Sequence, residues 1–542
     1  MQDKMKIITT IVAIIFCAIQ LTTAQVYNVQ KQDSEKGKPK GTTFMGVDKD
    51  GFMYWSSTKT KNYILFKTTQ PWIKVTLPAS GSLNSELFVN NKRFKEKGYK
   101  YLTTMFLEEH KLLLIMRKND GTDGEKSKYF GVEMNQGFSE NSQVFELGEK
   151  PYCKGFNSGK QKEFNEAVTY YRDDNGLTTF LSEVACEWDK NPSFVAVTLD
   201  DNYTELAKQK FELPIENNIV ETQFVRYKED LVLNVKSLER VNIDRSTFGD
   251  LILINRLFLV KQDGSVELIS NDLELDKVPA QEVLEVRNDE LLITGQLIKT
   301  NTTVLLGLFS AKYNPDNQIF ETTNQTLFSE EYVEKFLDDT KLKSLQKNYG
   351  PDYITVNYKL TDRFNTSDGG GLYLIQKRYT QNIRRVVSTS GAYLSVKNSY
   401  FYYLDLMVVK INNEGGLDWM TKIPMQKISQ NYDPGRGFAA AYKDSSLYLL
   451  HSVKASNKEL TGYEPNIKQP RKQKSNSFLT VTQVDKKGVV RSEKLLNLTE
   501  ERISFNTKRV AIDQSNDRFL FMATPRRRLG SQNKFMFYSV GF

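Results

Sequence analysis

The feature that most limits what this chain can fold into is a module repeated about eight times: an apolar strand, a polar turn of three to five residues, and a second strand of alternating aliphatic or aromatic residues. The first copy runs from Phe44 to Trp55 and turns at Asp48, Lys49, Asp50 and Gly51. In the second, Leu112, Leu114 and Met116 follow Glu108, Glu109 and His110; the third turns at Asp173, Asp174, Asn175 and Gly176. The fourth and fifth place Leu231, Leu233 and Val235 after Asp230, and Leu291 to Thr294 after Asp289. The sixth is looser, running from Tyr353 to Ile375 around Asp368 and three glycines. The seventh and eighth place Leu447 to Leu450 after Asp444, and Phe519 to Met522 after Asp517.

Between these copies lies a second hairpin. Phe258 to Val260, the turn Gln262-Asp263-Gly264, and Val266 to Ile269 form one example. Others turn at Asp200 to Asn202, Pro315 to Asn317, Asn412 to Gly416 and Asp485 to Gly488. Four short strands per unit, joined by turns of Asp, Asn and Gly, predict an all-β chain folded as a β-propeller of seven or eight four-stranded blades. A lone four-stranded unit cannot bury its faces, so the array is expected to share one continuous core as a single domain over residues 44–542. The copies recur every 55 to 80 residues or so, against roughly 40 to 50 for a minimal blade, and long loops absorb the difference. The chain ends in a strand, Lys534 to Phe542, the third of the last blade. A strand near Val26 to Val29, within the segment 25–43, is expected to supply the fourth and close the ring, hiding an edge open to aggregation. One stretch, Ser329 to Lys347, carries Val333, Phe336, Leu337 and Leu345 at helical spacing and predicts a helical insertion.

Two stretches resemble the repeats of exported bacterial propellers of the quinoprotein-like and related kinds: Met407 to Trp419, reading MVVKINNEGGLDW, and Leu479 to Gly488, reading LTVTQVDKKG. In each a strand runs into a Gly turn, and the first continues into a strand bearing Trp419. The resemblance covers two units closely and the others in pattern, and it implies the propeller fold with Trp419 as a blade-packing residue.

Residues 1–24 read as a secretory signal peptide. Lys4 and Lys6 give the positive start, Ile7 to Ile19 the apolar run, and Thr22 and Ala24 the small residues that a signal peptidase requires. The run is too short for a membrane-spanning helix, which needs about 20 residues, and no later segment is apolar for long enough. Phe16 before Cys17 is too bulky for a lipid-attachment motif. The expected location is therefore exported: periplasmic, cell-surface or extracellular. Removal of the signal leaves Cys153 and Cys186 as a candidate disulfide in a compartment that permits one. A bridge would restrict the unfolded chain by about 3 to 4 kcal/mol on the entropic model; the alternative is two buried thiols.

Chemistry is sparse. The two histidines, His110 and His451, have no ligand-spaced partner and read as structural. There is no G-x-S-x-G elbow, P-loop or dinucleotide fingerprint. Paired carboxylates such as Asp173 with Asp174, Asp200 with Asp201, and Asp338 with Asp339 sit where hairpin turns already favour Asp. No catalytic, cofactor-binding or metal-ligating residue is assigned, and no cofactor is expected. The net charge of +8 is mild and dispersed, with local clusters at Lys92 to Lys97, Lys468 to Lys474 and Arg526 to Arg528. No aromatic stacking motif accompanies them, so nucleic acid is not an expected partner. The run Tyr400, Phe401, Tyr402, Tyr403 is the densest aromatic stretch and reads as blade packing, with sugar or peptide stacking as its alternative. The sequence therefore predicts a non-enzymatic binding or scaffold protein that uses a propeller face to engage a protein or glycan partner. The alternative is a hydrolase or lyase acting on polysaccharide, with carboxylates at the central channel.

Overall fold

A computed structural model describes residues 29–36, 43–47, 53–62, 67–76, 99–107, 111–120, 126–134, 144–151, 168–173, 175–184, 191–215, 219–240, 251–271, 278–287, 289–298, 305–328, 354–389, 392–414, 416–425, 427–430, 437–454, 477–507, 510–513, 517–525 and 534–542. Among these residues there is no helix. From blade 1 to blade 7 the strands form antiparallel meanders that follow one another along the sequence, each meander being one blade. Blades 1 to 7 span 43–76, 99–151, 168–212, 219–271, 278–327, 354–423 and 438–497. The eighth is built from the strands Val510–Asp513, Arg518–Pro525 and Lys534–Gly541, and its outer strand is Val29–Lys36 from the other end of the chain. That pairing is antiparallel, from Val29 opposite Val540 to Lys36 opposite Lys534. The chain is an all-β propeller, with eight blades in seven hydrogen-bonded sheets among the described residues, blades 4 and 5 sharing one sheet. The helix expected over Ser329 to Lys347 lies outside them.

Both repeated features of the sequence are hairpins of the blades. Each first hairpin joins the innermost strand of a blade to its second, and each second hairpin joins the third strand to the outermost. The turn chemistry is local. Asp173 Oδ1 accepts from the backbone N–H groups of Asn175 and Leu177. Asp200 does the same for Asn202 and Thr204, Asn412 for Glu414 and Gly416, and Asp485 for Lys487 and Val489. These carboxylates are occupied in holding Asx-type turns. At the tight first hairpin of blade 7, Asp444 and Ser445 have φ of 48° and 59°, the pair of left-handed residues that a type I′ turn requires.

The core sits between the blades. Strand side chains alternate, so each sheet offers one face to the blade before it and the other to the blade after it. In blade 4, Leu231, Leu233 and Val235 pack with Leu181, Phe194 and Phe211 of blade 3, whereas Val232, Leu257 and Leu259 pack with Leu291, Ile293 and Phe309 of blade 5. Like clusters fill the seams between blades 2 and 3, 5 and 6, 6 and 7, and 7 and 8. The innermost strand of blade 1 lies beside those of blades 2 and 8, so the succession of blades runs around a ring. Each fully buried Leu, Ile, Val or Phe contributes about 1.5 to 3 kcal/mol of transfer free energy, which is why blades that could not stand alone hold together. Blades 4 and 5 are further stitched at their outer strands by a parallel pairing of Ser270 with Ile319 and Asn271 with Phe320.

Blade 6 departs from its neighbours. Its second and third strands, Gly371–Thr389 and Ala392–Ile411, are 19 and 20 residues long. The aromatic run lies on this long hairpin, where Lys427–Gln430 pairs with residues 400–403. Tyr403 is buried and Tyr402 packs against the seam with blade 5, as blade packing requires. Trp419 reaches across to blade 7: its Nε1 donates to the Lys486 carbonyl at 3.0 Å, and its ring covers Gly488.

Candidate functional site

The innermost strand of blade 5, Val278–Arg287, carries charge on both faces. After a register shift between Ala280 and Val283, Glu282 and Leu284 face blade 4, while Val283 and Glu285 face blade 6. Opposite them runs the innermost strand of blade 6, Ile354–Asn365, itself shifted in register between Leu360 and Asp362. A cavity of about 360 Å³ lies between Val283 and Glu285 on one side and residues 360–363 with Asn365 on the other.

Arg363 and Glu285 form the ion pair that crosses this seam, and Arg287 Nη2 donates to the same Glu285 oxygen at 3.1 Å. The Arg363 side chain is only 10% exposed. Its guanidinium lies 5.2 Å from the centre of the Tyr373 ring, a cation–π contact. Burial pushes the Tyr373 hydroxyl up to about 12, with the Arg287 charge opposing, so the phenol stays neutral. Thr361 Oγ1 donates to the Leu374 carbonyl at 3.0 Å, which leaves its lone pairs available. The cavity thus brings the Arg363 guanidinium, the Glu285 carboxylate, Asn365 and Thr361 together with the aliphatic Val283 and Leu360, whereas Asp362, in register with Leu374, turns its side chain toward blade 7.

The opposite face of the same strand meets a second polar group. Glu282 is 3% exposed, and burial raises its pKa to about 7 against the opposing charge of Lys236 and the nearby Asn234 amide. Asn234 approaches Glu282 without good hydrogen-bond geometry to any partner. Lys236 is committed elsewhere: its Nζ donates to Glu221 Oε2 at 3.0 Å, while Gln223 donates to Glu221 Oε1 at 3.1 Å. Glu221 is 50% exposed on the innermost strand of blade 4. Burial alone would raise its pKa, but the bonds and charge of Lys236, the Gln223 amide and the charge of Lys359 from blade 6 bring it below the usual value. Two carboxyl groups in one seam are thereby pushed apart, a pattern that elsewhere separates acid from base.

His451 belongs to neither group. It is wholly buried in the seam between blades 6 and 7, its Nε2 lies 2.8 Å from Thr482 Oγ1, and burial lowers its pKa to about 4. It is a neutral structural histidine. His110, Cys153, Cys186, Asp174, Asp338, Asp339 and the three basic clusters lie outside the described residues. Among the described residues, no three His, Cys, Asp or Glu side chains are placed together to hold a metal ion. Sequence reasoning assigned roles to turn carboxylates and passed over Glu282, Glu285, Arg287, Asp362 and Arg363. The available signal was that these charges fall inside strands of the innermost position rather than at turns.

No family model and no curated protein matches the chain. Among solved structures it is similar to a polysaccharide lyase, at 10% identity over 94% of this chain and 99% of that one, with a TM-score of 0.35. It is similar to a eukaryotic initiation factor at 7% identity, over 82% and 75% of the two chains, with a TM-score of 0.35. A levansucrase of B. subtilis aligns at 11% identity over 52% and 86%, with a TM-score of 0.20. At such TM-scores the propeller assignment rests on the strand order and seam packing of the chain itself.

Proposed function

We propose that this chain is an exported, non-enzymatic binding or scaffold protein that engages a protein or glycan partner through the channel wall of blades 5 and 6. One observation carries this: a seam of the ring opens into a cavity lined by convergent polar side chains, whose volume of about 360 Å³ falls at the small end of the ~300 to 1,000 Å³ typical of ligand sites. Export rests on Lys4 and Lys6, the apolar run after them, and the small residues Thr22 and Ala24. A periplasmic, cell-surface or extracellular position follows from it. Among the described residues no helix is long and apolar enough to cross a membrane.

The test is affinity capture from the native envelope, with a glycan array beside it. Wild-type protein is expected to retain a partner that the Asn365→Ala variant retains poorly, because Asn365 is an exposed lining residue whose loss leaves the seam packing intact. Recovery of no partner alongside turnover of a glycan would defeat the binding role.

One observation favours the alternative, a hydrolase or lyase acting on polysaccharide: Glu221 and Glu282 have pKa values moved in opposite directions within one seam. Binding leads because the Glu282 carboxyl, at 3% exposure, is out of a polymer's reach. Incubation with neutral and acidic polysaccharides, followed by assay for new reducing or unsaturated ends, separates the two; products lost in Glu221→Gln would favour the enzyme.

A further inference from the structure

We infer that the hairpin running on beyond blade 6, residues 382–399, is a docking ribbon for an acidic polysaccharide; this rests on the binding role above and gives it a second surface. The first ground is the backbone. Ile354–Asn365 pairs with the second strand of the blade from Asn365 opposite Gly371 to Ile354 opposite Gln381, and there its pairing ends. On the other side Lys427–Gln430 stops opposite Tyr400. Past these points, among the described residues, Asn382 to Thr389 pair only with Ala392 to Ser399, which makes about 25 Å of two-stranded ribbon. The ribbon leaves at the Ile354 end of the innermost strand, whereas the cavity lies toward the Asn365 end. Two strands alone are marginally stable in water, so a ribbon of this length gains from a surface to lie against.

The second ground is charge. The whole chain is nearly balanced, with 74 Lys and Arg against 66 Asp and Glu, yet no acidic residue stands between Asp368 and Asp405. That stretch holds Lys377, Arg378, Arg384, Arg385 and Lys397, the last three on the ribbon. The register sets Arg384 directly opposite Lys397, and like charges so placed repel; an anion laid across the pair attracts both. The same face carries Asn382 opposite Ser399, Val386 opposite Ser395, and Ser388 opposite Tyr393. Amide and hydroxyl residues thus flank the two cations along the ribbon. A polymer that bears carboxylates among many hydroxyls fits this order: the cations meet its charges, while Asn, Ser and Tyr, each donor and acceptor, meet its hydroxyls. A partner peptide is read at a strand edge, and strands of this chain already close both edges at the base of the ribbon, so the face is the favoured surface.

The experiment measures binding of the mature full-length protein to polygalacturonate, beside dextran as a neutral polymer, poly-glutamate as an acidic peptide and phosphatidylglycerol vesicles as an anionic lipid surface. One variant combines Arg384→Gln, Arg385→Gln and Lys397→Gln; a second keeps the charge with Arg384→Lys, Arg385→Lys and Lys397→Arg. Thermal midpoints show that both fold. Polygalacturonate is expected to bind the wild type and the charge-keeping variant, and to bind the Gln variant about tenfold more weakly, the effect of three lost exposed charge contacts. High salt should release it, and dextran should not bind. Equal binding to the wild type and the Gln variant would overturn the inference, as would no binding of polygalacturonate. Preference for poly-glutamate or for vesicles, lost in the Gln variant, would overturn the polysaccharide assignment. Polygalacturonate binding that survives in Asn365→Ala supports a ribbon distinct from the cavity, whereas a partner captured through Asn365 with no polygalacturonate bound overturns the ribbon and leaves the cavity's binding role standing.

Discussion

The two faces of one strand, Val278–Arg287, give opposite solutions to the same difficulty. Toward blade 4 the seam is sealed: Leu284 packs with Val232, Leu257, Leu291 and Ile293, the outer strands are stitched by a parallel pairing, and Glu282 is shut in without an ion pair of its own. Toward blade 6 the seam stands open at a cavity, and Glu285 is paired with two guanidiniums. Apolar sealing stabilises but leaves no room for a ligand, whereas charge pairing beside a cavity holds the blades together and keeps polar groups within a ligand's reach. The largest expected effect is in the sealed seam. Ile293→Ala, at a fully buried position, should cost about 2 to 5 kcal/mol, seen as a lower denaturant midpoint. A loss under about 1 kcal/mol would mean that this seam is loosely packed and the contrast is false.

The neighbouring glutamates sharpen the contrast because their neutralisation should act with opposite sign. Glu282 has a folded pKa of about 7 against an ordinary 4.5, so the native state keeps its proton longer than the unfolded chain does. Its contribution is complete below pH 4.5 and is lost as pH rises toward 7, by an amount of order 3 kcal/mol. Glu282→Gln should therefore stabilise the protein above neutrality and leave it unchanged near pH 4.5. Glu285→Gln removes the carboxylate shared by Arg287 and Arg363 and should destabilise by about 1 to 3 kcal/mol. Thermal midpoints across pH 4 to 8 check both, and two variants moving in the same direction at pH 8 would break the comparison.

His451 provides the opposite slope from a third seam. Its folded pKa of about 4 lies below the ordinary 6.5, so its contribution is present above pH 6.5 and is lost as pH falls toward 4. His451→Gln, which can keep a bond to Thr482, should flatten that acid-side decline by no more than the effect at Glu282. An unchanged decline would show that the ring is already protonated in the native protein.

How much of this the sequence disclosed follows from where the charges stand. Asp173, Asp200, Asn412 and Asp485 were legible as turn residues because their chemistry is local, each side chain bonding backbone two to four residues on. Eight such hairpins, in order, imply the ring. Glu282, Glu285, Asp362 and Arg363 were not legible because period-two alternation tells which side chains share a face but not what that face meets. In an open sheet an alternating charged face would be solvated; here the next blade covers it, and only the closed ring turns those charges into buried pairs and a buried acid. Trp419 was legible as a packing residue from its place after a Gly turn, whereas its partner, the Lys486 carbonyl, lies one blade away and leaves no trace in the local pattern.

The smallest expected effect returns to the open seam. Leu360 is half buried, packs at the edge of the cluster between blades 5 and 6, and forms part of the cavity floor. Shortening it in Leu360→Ala removes less apolar contact than at Ile293, and the space released joins a volume lined by polar groups that water can enter. The cost should be about 1 kcal/mol or less, well under that of Ile293→Ala, because the cavity term that enlarges core truncations arises only where the void stays empty. Equal costs at the two positions, measured under the same conditions, would mean that blades 5 and 6 close on each other in solution. Arg363 and Asn365 would then be seam packing rather than a ligand's contacts.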